Sequence, residues 1–350
     1  MLHRDKSPIA SADPFLAVRR WLFVIAGLIA AMVVVGGATR LTESGLSITE
    51  WRPISGVLPP LSQDDWRDAF EKYKQIPQYA QKFPDMDLAG FQTIYLWEWA
   101  HRLLGRLIGL AFVLPLAFFW LKGFVTGALR GKLLFILALG ALQGFVGWWM
   151  VSSGLSERTD VAQERLAIHL LLACFTLAAC LWTAEGLRPN FRDPMGRDAR
   201  GFRFEAGLLL ALVFLQVGLG ALVAGTRAGL TYNSWPLMDG RFFPPAEALL
   251  SLKPLWANFL DNGLTVQFQH RMAAYLALLL GLFHAFHISR ERLARRAVRR
   301  ALALALLILA QAGLGVTVLV LAVPLPAALA HQALAVGVLA LATMHRRKLG

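Results

Sequence analysis

The sequence predicts an all-α polytopic membrane protein with eight transmembrane helices, arranged as two tandem four-helix bundles of the same orientation. Three observations carry this. The 350 residues are 57% hydrophobic and only 16% charged, which excludes an ordinary soluble domain. Eight apolar windows, at about 21–38, 94–121, 133–151, 166–184, 206–224, 264–288, 301–323 and 326–344, approach the length that crosses the hydrocarbon core. They do not alternate as barrel strands would. The last four windows repeat the first four, in order.

Span one follows about twenty polar residues and lacks a small-residue cleavage site, so it reads as a retained helix rather than a signal peptide. Its far end, VGGATRLTESGLSITEW (35–51), recurs after span five as LVAGTRAGLTYNSW (222–235), with Thr-Arg, Gly-Leu and Trp shared across a three-residue gap. Span two carries ExxHR at Glu98, His101 and Arg102, and span six carries QxxHR at Gln267, His270 and Arg271. ALQGFVG (141–147) in span three matches LAQAGLG (309–315) in span seven, and His169 of span four answers His331 of span eight. An even number of helices per repeat gives both halves one orientation. Cys174 and Cys180 lie about 240° apart around the fourth helix, so they read as separate core thiols. The long connections, about 41–93 with WRPISGVLPP and 225–263 with SWPLMDGRFFPP, read as segments that pack over something or gate it.

The net charge of +13 does not mark a nucleic-acid surface, because Lys and Arg collect in alternate loops. Those stretches are the amino terminus, KGFVTGALRGK, RPNFRDPMGRDARGFR, SRERLARRAVRR and HRRKLG. The positive-inside rule makes that side, and both termini, cytoplasmic. The expected organisation is a cytoplasmic tail (1–20), an amino-terminal half (21–186), a linker (187–203), a carboxy-terminal half (204–344) and a short cytoplasmic tail (345–350).

His101, His169, His270 and His331 all fall near the outer face, one pair in each half. A lone histidine in such a place reads equally well as a packing residue, but the recurrence of both pairs favours ligands. Two neutral imidazoles from facing helices suit the axial positions of a haem iron. His284, His287 and His345 lie at cytoplasmic span ends and His3 in the tail; without counterparts in the first half, an interfacial role is expected for HAFH. Glu98 shares a helix face with His101, whereas the repeat places neutral Gln267 there, so the halves differ in chemistry. The plainer reading pairs Glu98 with Arg102 or Arg106. Arg40, Arg102, Arg227 and Arg271 are repeat-related cations that either meet porphyrin propionates or snorkel to headgroups. Trp51 and Trp235 either cap a macrocycle or mark the interface.

The motif GGATRLTESGLSITEW, the ExxHR of span two, the later single histidines and the duplicated eight-span layout together resemble the haem A synthase family, from about Trp21 to the last span. The resemblance implies oxidation of the C8 methyl group of haem O to a formyl group, yielding haem A for aa3-type cytochrome c oxidases. It implies haem b held by His270 and His331, substrate haem O flanked by His101 and His169, and Glu98 as the catalytic group. The outer loops contain no cysteine, so the chain is similar to the subgroup typical of alphaproteobacteria and mitochondria, and its short amino terminus favours a bacterial inner membrane. The haem sites would face the periplasm. The resemblance admits as partners a haem O synthase (farnesyltransferase), cytochrome c oxidase assembly factors and a second copy of the chain. Two rival readings are a quinol-linked dihaem b electron-transfer protein, which leaves the Glu98/Gln267 difference and the shared depth unexplained, and a haem transporter, which would need broken spans around a midplane site.

Overall fold

The computed structural model describes residues 15–52, 55–193, 199–290 and 295–350. The tail through residue 14, with His3, and residues 194–198 of the expected linker lie outside the described residues.

In the first half, α1 (Leu16–Leu41) is followed by α2 (Gln63–Tyr73) and α3 (Pro77–Lys82), then by α4 (Leu88–Leu121), α5 (Gly127–Ser152) and α6 (Gln163–Gly186). In the second, α7 (Ala199–Gly225) is followed by a short α8 (Ala246–Leu249), then α9 (Gly263–Ser289), α10 (Arg295–Val320) and α11 (Leu325–Leu349). Eight of these are long and apolar enough to cross a membrane. No strand occurs among the described residues, apart from one isolated bridge between Met238 and Arg241.

Helix α1 packs on α4 and α6, and α5 on α6; α7 packs on α9 and α11, and α10 on both of these. The halves meet where α6 lies against α7 and α11, and where α1 lies against α11. Thus the first and last helices of each half form the contact, consistent with two related bundles. Val18, Leu22, Ile25, Leu133, Cys180, Leu209, Leu304 and Leu339 are buried in the common core. Cys174 and Cys180 are free, buried thiols, as expected. On α4, Leu107, Leu110, Leu114 and Phe118 face outward, a row that only a lipid solvent would leave exposed.

Helix boundaries differ from the hydropathy windows where local hydrogen bonding decides. Helix α4 starts at Leu88, six residues before its window, because Asp87 Oδ1 accepts from Gly90 N at 2.8 Å and caps the helix. Helix α10 stops at Val320 rather than 323, because Ala322 and Val323 adopt φ of 55° and 60° before Pro324. Apolar residues forming a left-handed turn carry no hydropathy signal. The 41–93 connection is a packed cover: α2 lays Phe70 and Tyr73 on Phe91 of α4, with ring centroids 4.9 and 5.3 Å apart, and Tyr79 of α3 packs against both Phe70 and Tyr73. Ser62 and Asp65 close a capping box at the start of α2.

Candidate functional site

Each of the four histidines lies against a glycine on a neighbouring helix. A Cβ built on Gly36 of α1 would stand 2.8 Å from Cε1 of His101, and one on Gly147 of α5 3.0 Å from that of His169. In the second half the distances are 3.1 Å from Gly220 of α7 to His270 and 2.9 Å from Gly315 of α10 to His331. Any side chain there would push the ring aside. All four glycines lie five residues before the last residue of their helices, so the rings share one depth. His101 on α4 and His169 on α6 belong to helices that both pack on α1, and His270 on α9 and His331 on α11 to helices that both pack on α7 and α10, so each pair belongs to one half.

The Nδ1 atoms of His101, His270 and His331 are buried without a hydrogen-bond partner. Orphaned ring nitrogens are costly in a low-dielectric interior and are tolerated where a ligand needs the ring. Imidazoles supplied in pairs are the donor type that haem iron takes.

A third group at these sites is absent from the sequence reading. Gln143, Gln216 and Gln311 precede Gly147, Gly220 and Gly315 by one helical turn, so QGFVG, QVGLG and QAGLG form one motif, Q-x-x-x-G. Gln143 Nε2 lies 3.2 Å from His169 Nδ1 and donates to the carbonyl oxygen of His169 at 3.1 Å. Gln216 Nε2 is 3.3 Å from His270 Nε2, and Gln311 Nε2 is 3.3 Å from His331 Nε2 while donating to the His331 carbonyl at 3.0 Å. The signal was present in part, as the match between spans three and seven, but its copy in span five lies one turn away from the Thr-Arg alignment. In α1 the same frame reads MVVVG, with Met32 in the place of the glutamine.

Glu98 is buried, and both its oxygens are occupied. Oε1 accepts from Arg102 Nε at 3.0 Å and Nη2 at 2.6 Å, while Oε2 accepts from Ser47 Oγ and Ile48 N, each at 2.8 Å. Its counterpart Gln267 instead donates through Nε2 to the carbonyls of Ala228 and Tyr232, at 2.9 and 3.2 Å, and accepts from Arg271 Nη2 at 2.9 Å. Each residue therefore pins the connection that follows the first helix of its half. An acid meets donors in one half and an amide meets acceptors in the other. The plainer pairing of Glu98 with Arg102 is thus present in the fold.

The chemistry so assembled is two histidine pairs embedded in helices at one depth, with a carboxylate beside one pair only. A profile of the Cytochrome oxidase assembly protein family, COX15-CtaA, matches residues 19–343. The chain belongs to this family. It is 60% identical over 333 residues to a protein named "Heme A synthase" from Beijerinckia indica, covering 95% of this chain and 93% of that one. Proteins of the same name from Rhodopseudomonas palustris strain BisA53 and Bradyrhizobium diazoefficiens are 54% and 52% identical over 340 residues, each covering 97% of this chain and 93% of its own.

The equivalence of Arg40 and Arg227 in the repeat needs correction. Thr42 and Thr226 each return Oγ1 to the carbonyl four residues back, at 2.8 Å, and the residues after them, Glu43 and Arg227, adopt φ of 56° and 54°. The geometric counterpart of Arg227 is therefore Glu43, one turn beyond Thr39-Arg40. The two meet at 2.6 Å, and Asp160 and Lys82 complete an ion cluster that joins the halves, with Arg227–Asp160 at 3.0 Å, Lys82–Glu43 at 3.0 Å and Lys82–Asp160 at 2.8 Å. A cleft of about 550 Å³ beside it, lined by Asp160, Gln163, Arg227 and Asp261 among others, contains none of the four histidines.

Burial opposes ionisation of Glu43 and Asp160, yet hydrogen bonds from Lys82 and Arg227 hold both carboxyls below the usual carboxylate range. Groups with depressed folded values stabilise above the unfolded value and lose that contribution as pH falls through the folded one. The melting temperature in detergent is accordingly expected to fall below about pH 4. Arg227→Ala should lower the melting temperature at neutral pH and shrink the acid loss; an unchanged acid slope would remove the cluster from the account.

The other arginines donate to protein carbonyls. Arg102 donates to the carbonyls of Ile48 and Glu50, Arg271 to those of Tyr232, Ser234 and Leu237, and Arg40 to that of Ala224. Trp51 and Trp235 are half-exposed, and Trp235 Nε1 donates to the Tyr275 hydroxyl at 3.0 Å. The interfacial expectation for HAFH is corrected at His284, while His287 stays partly exposed. His284 and His345 are buried, their Nε2 atoms 2.8 Å apart, and Glu205 of α7 bonds His284 Nδ1 at 2.8 Å and His287 Nδ1 at 2.7 Å. A carboxylate about eighty residues away in sequence makes this a buried pin between α7, α9 and α11, at their opposite ends from the four paired rings.

Proposed function

We propose that the protein is a haem A synthase, oxidising the C8 methyl group of haem O to a formyl group and so supplying haem A for aa3-type cytochrome c oxidase. The observation that carries this reading is the pair of equal-depth histidine sites in halves that differ at Glu98 and Gln267. The likeness to proteins named "Heme A synthase" over nearly the whole chain supports it.

The amino-terminal half (21–186) takes haem O between His101 and His169, and the carboxy-terminal half (204–344) holds haem b through His270 and His331. Haem b bound there supplies one-electron redox capacity inside the membrane. Converting a methyl to an aldehyde with oxygen from water, by two hydroxylations and loss of water from the resulting diol, releases four protons and four electrons, and the electrons must pass to an external electron acceptor. Glu98, one turn before His101, either stabilises positive charge developing at the C8 carbon or takes the proton of attacking water. Arg102, Ser47 and the Ile48 amide hold its carboxylate in place for either role. Nε of Arg40 and of Arg271, buried and without partners, are the guanidinium atoms left to meet a propionate.

Arg19, Arg130, Lys132, Arg203, Arg346 and Arg347 lie at the helix ends opposite the four rings. That asymmetry supports a multi-pass bacterial inner-membrane protein with cytoplasmic termini and haem sites toward the periplasm. The direct test is mass spectrometry of haems extracted from cells expressing this chain with a haem O synthase. Haem A together with its hydroxymethyl intermediate, both dependent on this chain, is the expected result. Bound haem b with haem O unchanged would instead assign an electron-transfer cytochrome.

A further inference from the structure

The halves differ in how their second and third spans meet. In the carboxy-terminal half α9 and α10 pack closely, and a Cβ built on Gly281 of α9 would stand 3.2 Å from Cδ1 of Ile308 on α10. The equivalent helices of the amino-terminal half, α4 and α5, barely touch. Two glycines mark the opening between them. Gly109 of α4 and Gly140 of α5 lie twelve and thirteen residues from the helix ends that face the 122–126 connection, so they stand at about one depth, two turns inward of His101. A Cβ on either of them, or on Gly144, meets nothing within 4 Å.

Gly140 shares a face of α5 with Leu133 and Ile136, which are buried, and Gly109 shares a face of α4 with Phe112 and Leu116, also buried. Both glycines are nevertheless exposed. At this depth the inward faces of α4 and α5 therefore open sideways to lipid. The repeat places Leu278 and Ile308 at the same two positions of the other half, Leu278 packed against the core and Ile308 buried in it. Those side chains fill the space that the glycines leave free. The outer end of the opening adjoins the first histidine pair: Gly147, one turn beyond Gly144, lies against His169, and Nδ1 of His101 on one wall and Oε1 of Gln143 on the other are buried without partners.

We infer that this slot takes the isoprenoid chain that a farnesyltransferase adds to haem, and that haem O enters the amino-terminal site through it, sideways from the bilayer. The inference rests on the reading of His101 and His169 as the haem O site. Lipid tails are as apolar as the chain, so the slot supplies room and van der Waals contact rather than a hydrophobic drive. Haem b has no such chain to house, and its half is closed by Leu278 and Ile308.

The test is titration of the purified protein in lipid nanodiscs, with haem b retained, by haem O and separately by iron protoporphyrin IX, followed by absorbance. Gly140→Ile and Gly109→Leu import the residues of the closed half. Each is expected to weaken haem O binding about tenfold or more, the range for overfilling a packed site, and to leave iron protoporphyrin IX binding unchanged. Unchanged haem O binding overturns the inference and leaves the slot to lipid chains. Equal weakening of both ligands overturns it too, because the glycines then only shape the bundle. His101→Ala tests the underlying reading: it should lose both ligands from the amino-terminal half, and a His101→Ala protein that binds haem O normally overturns that reading itself. Should Gly140→Ile fail to fold, Gly109→Leu on the facing wall decides alone.

Discussion

Alanine at His270 is expected to strip haem b from the carboxy-terminal half of the purified protein and to abolish haem A formation, while the helical signal persists. The ring lies against Gly220 and contributes one of two paired ligands, so its loss leaves a single imidazole on a helix that α7 and α10 still hold. His331→Ala should do the same from the other side. The pyridine haemochrome of each variant, referred to protein concentration, is the measurement. A graded version comes from Gly220→Ala, whose added Cβ would stand 3.1 Å from His270 Cε1 and displace the ring by a few tenths of an ångström, giving partial loss. Full haem content in both alanine variants would dismiss this pair as ligands.

Glu98→Gln is expected to keep both haem sites filled yet lower haem A formation by about a hundredfold or more, the range for a group that moves a proton or meets developing charge. The same substitution carries a structural cost, because an amide cannot accept everything that the carboxylate accepts. One oxygen becomes a donor facing the Ile48 N–H, which leaves a buried donor unmet at about 1–3 kcal/mol. Ser47→Ala separates the two effects, since it removes one hydrogen bond to Oε2 and leaves the carboxylate charge in place. It should lower the melting temperature without the large loss of rate. Haem A formed at the normal rate by the Glu98→Gln protein would take Glu98 out of the chemistry and leave it as the anchor of the 47–50 segment.

Much of this was legible in the sequence, because the properties concerned are local. Apolar length marks a crossing wherever it occurs, and the eight windows each became one of the eight long helices. Identity at a fixed offset exposed the duplication, and an imidazole inside an apolar run stands out against the cost of keeping it there. The contrast between Glu98 and Gln267 needed only two aligned letters. What those letters touch was not legible, since Ser47 and Ile48 lie about fifty residues from Glu98 and their donors face it only after the connection folds back over α4.

The same reason accounts for the remaining differences. Arg40 and Arg227 share a Thr-Arg pair in sequence, but a left-handed residue ends each first helix, and it is Glu43 that takes that position and bonds to Arg227. The buried pin of Glu205, His284 and His345 joins three helices from distant parts of the chain. Hydropathy and residue identity decided the membrane class, the repeat and the four histidines. Packing decided their partners, because a hydrogen bond depends on which helices lie side by side, and that order is a property of the bundle rather than of any one segment.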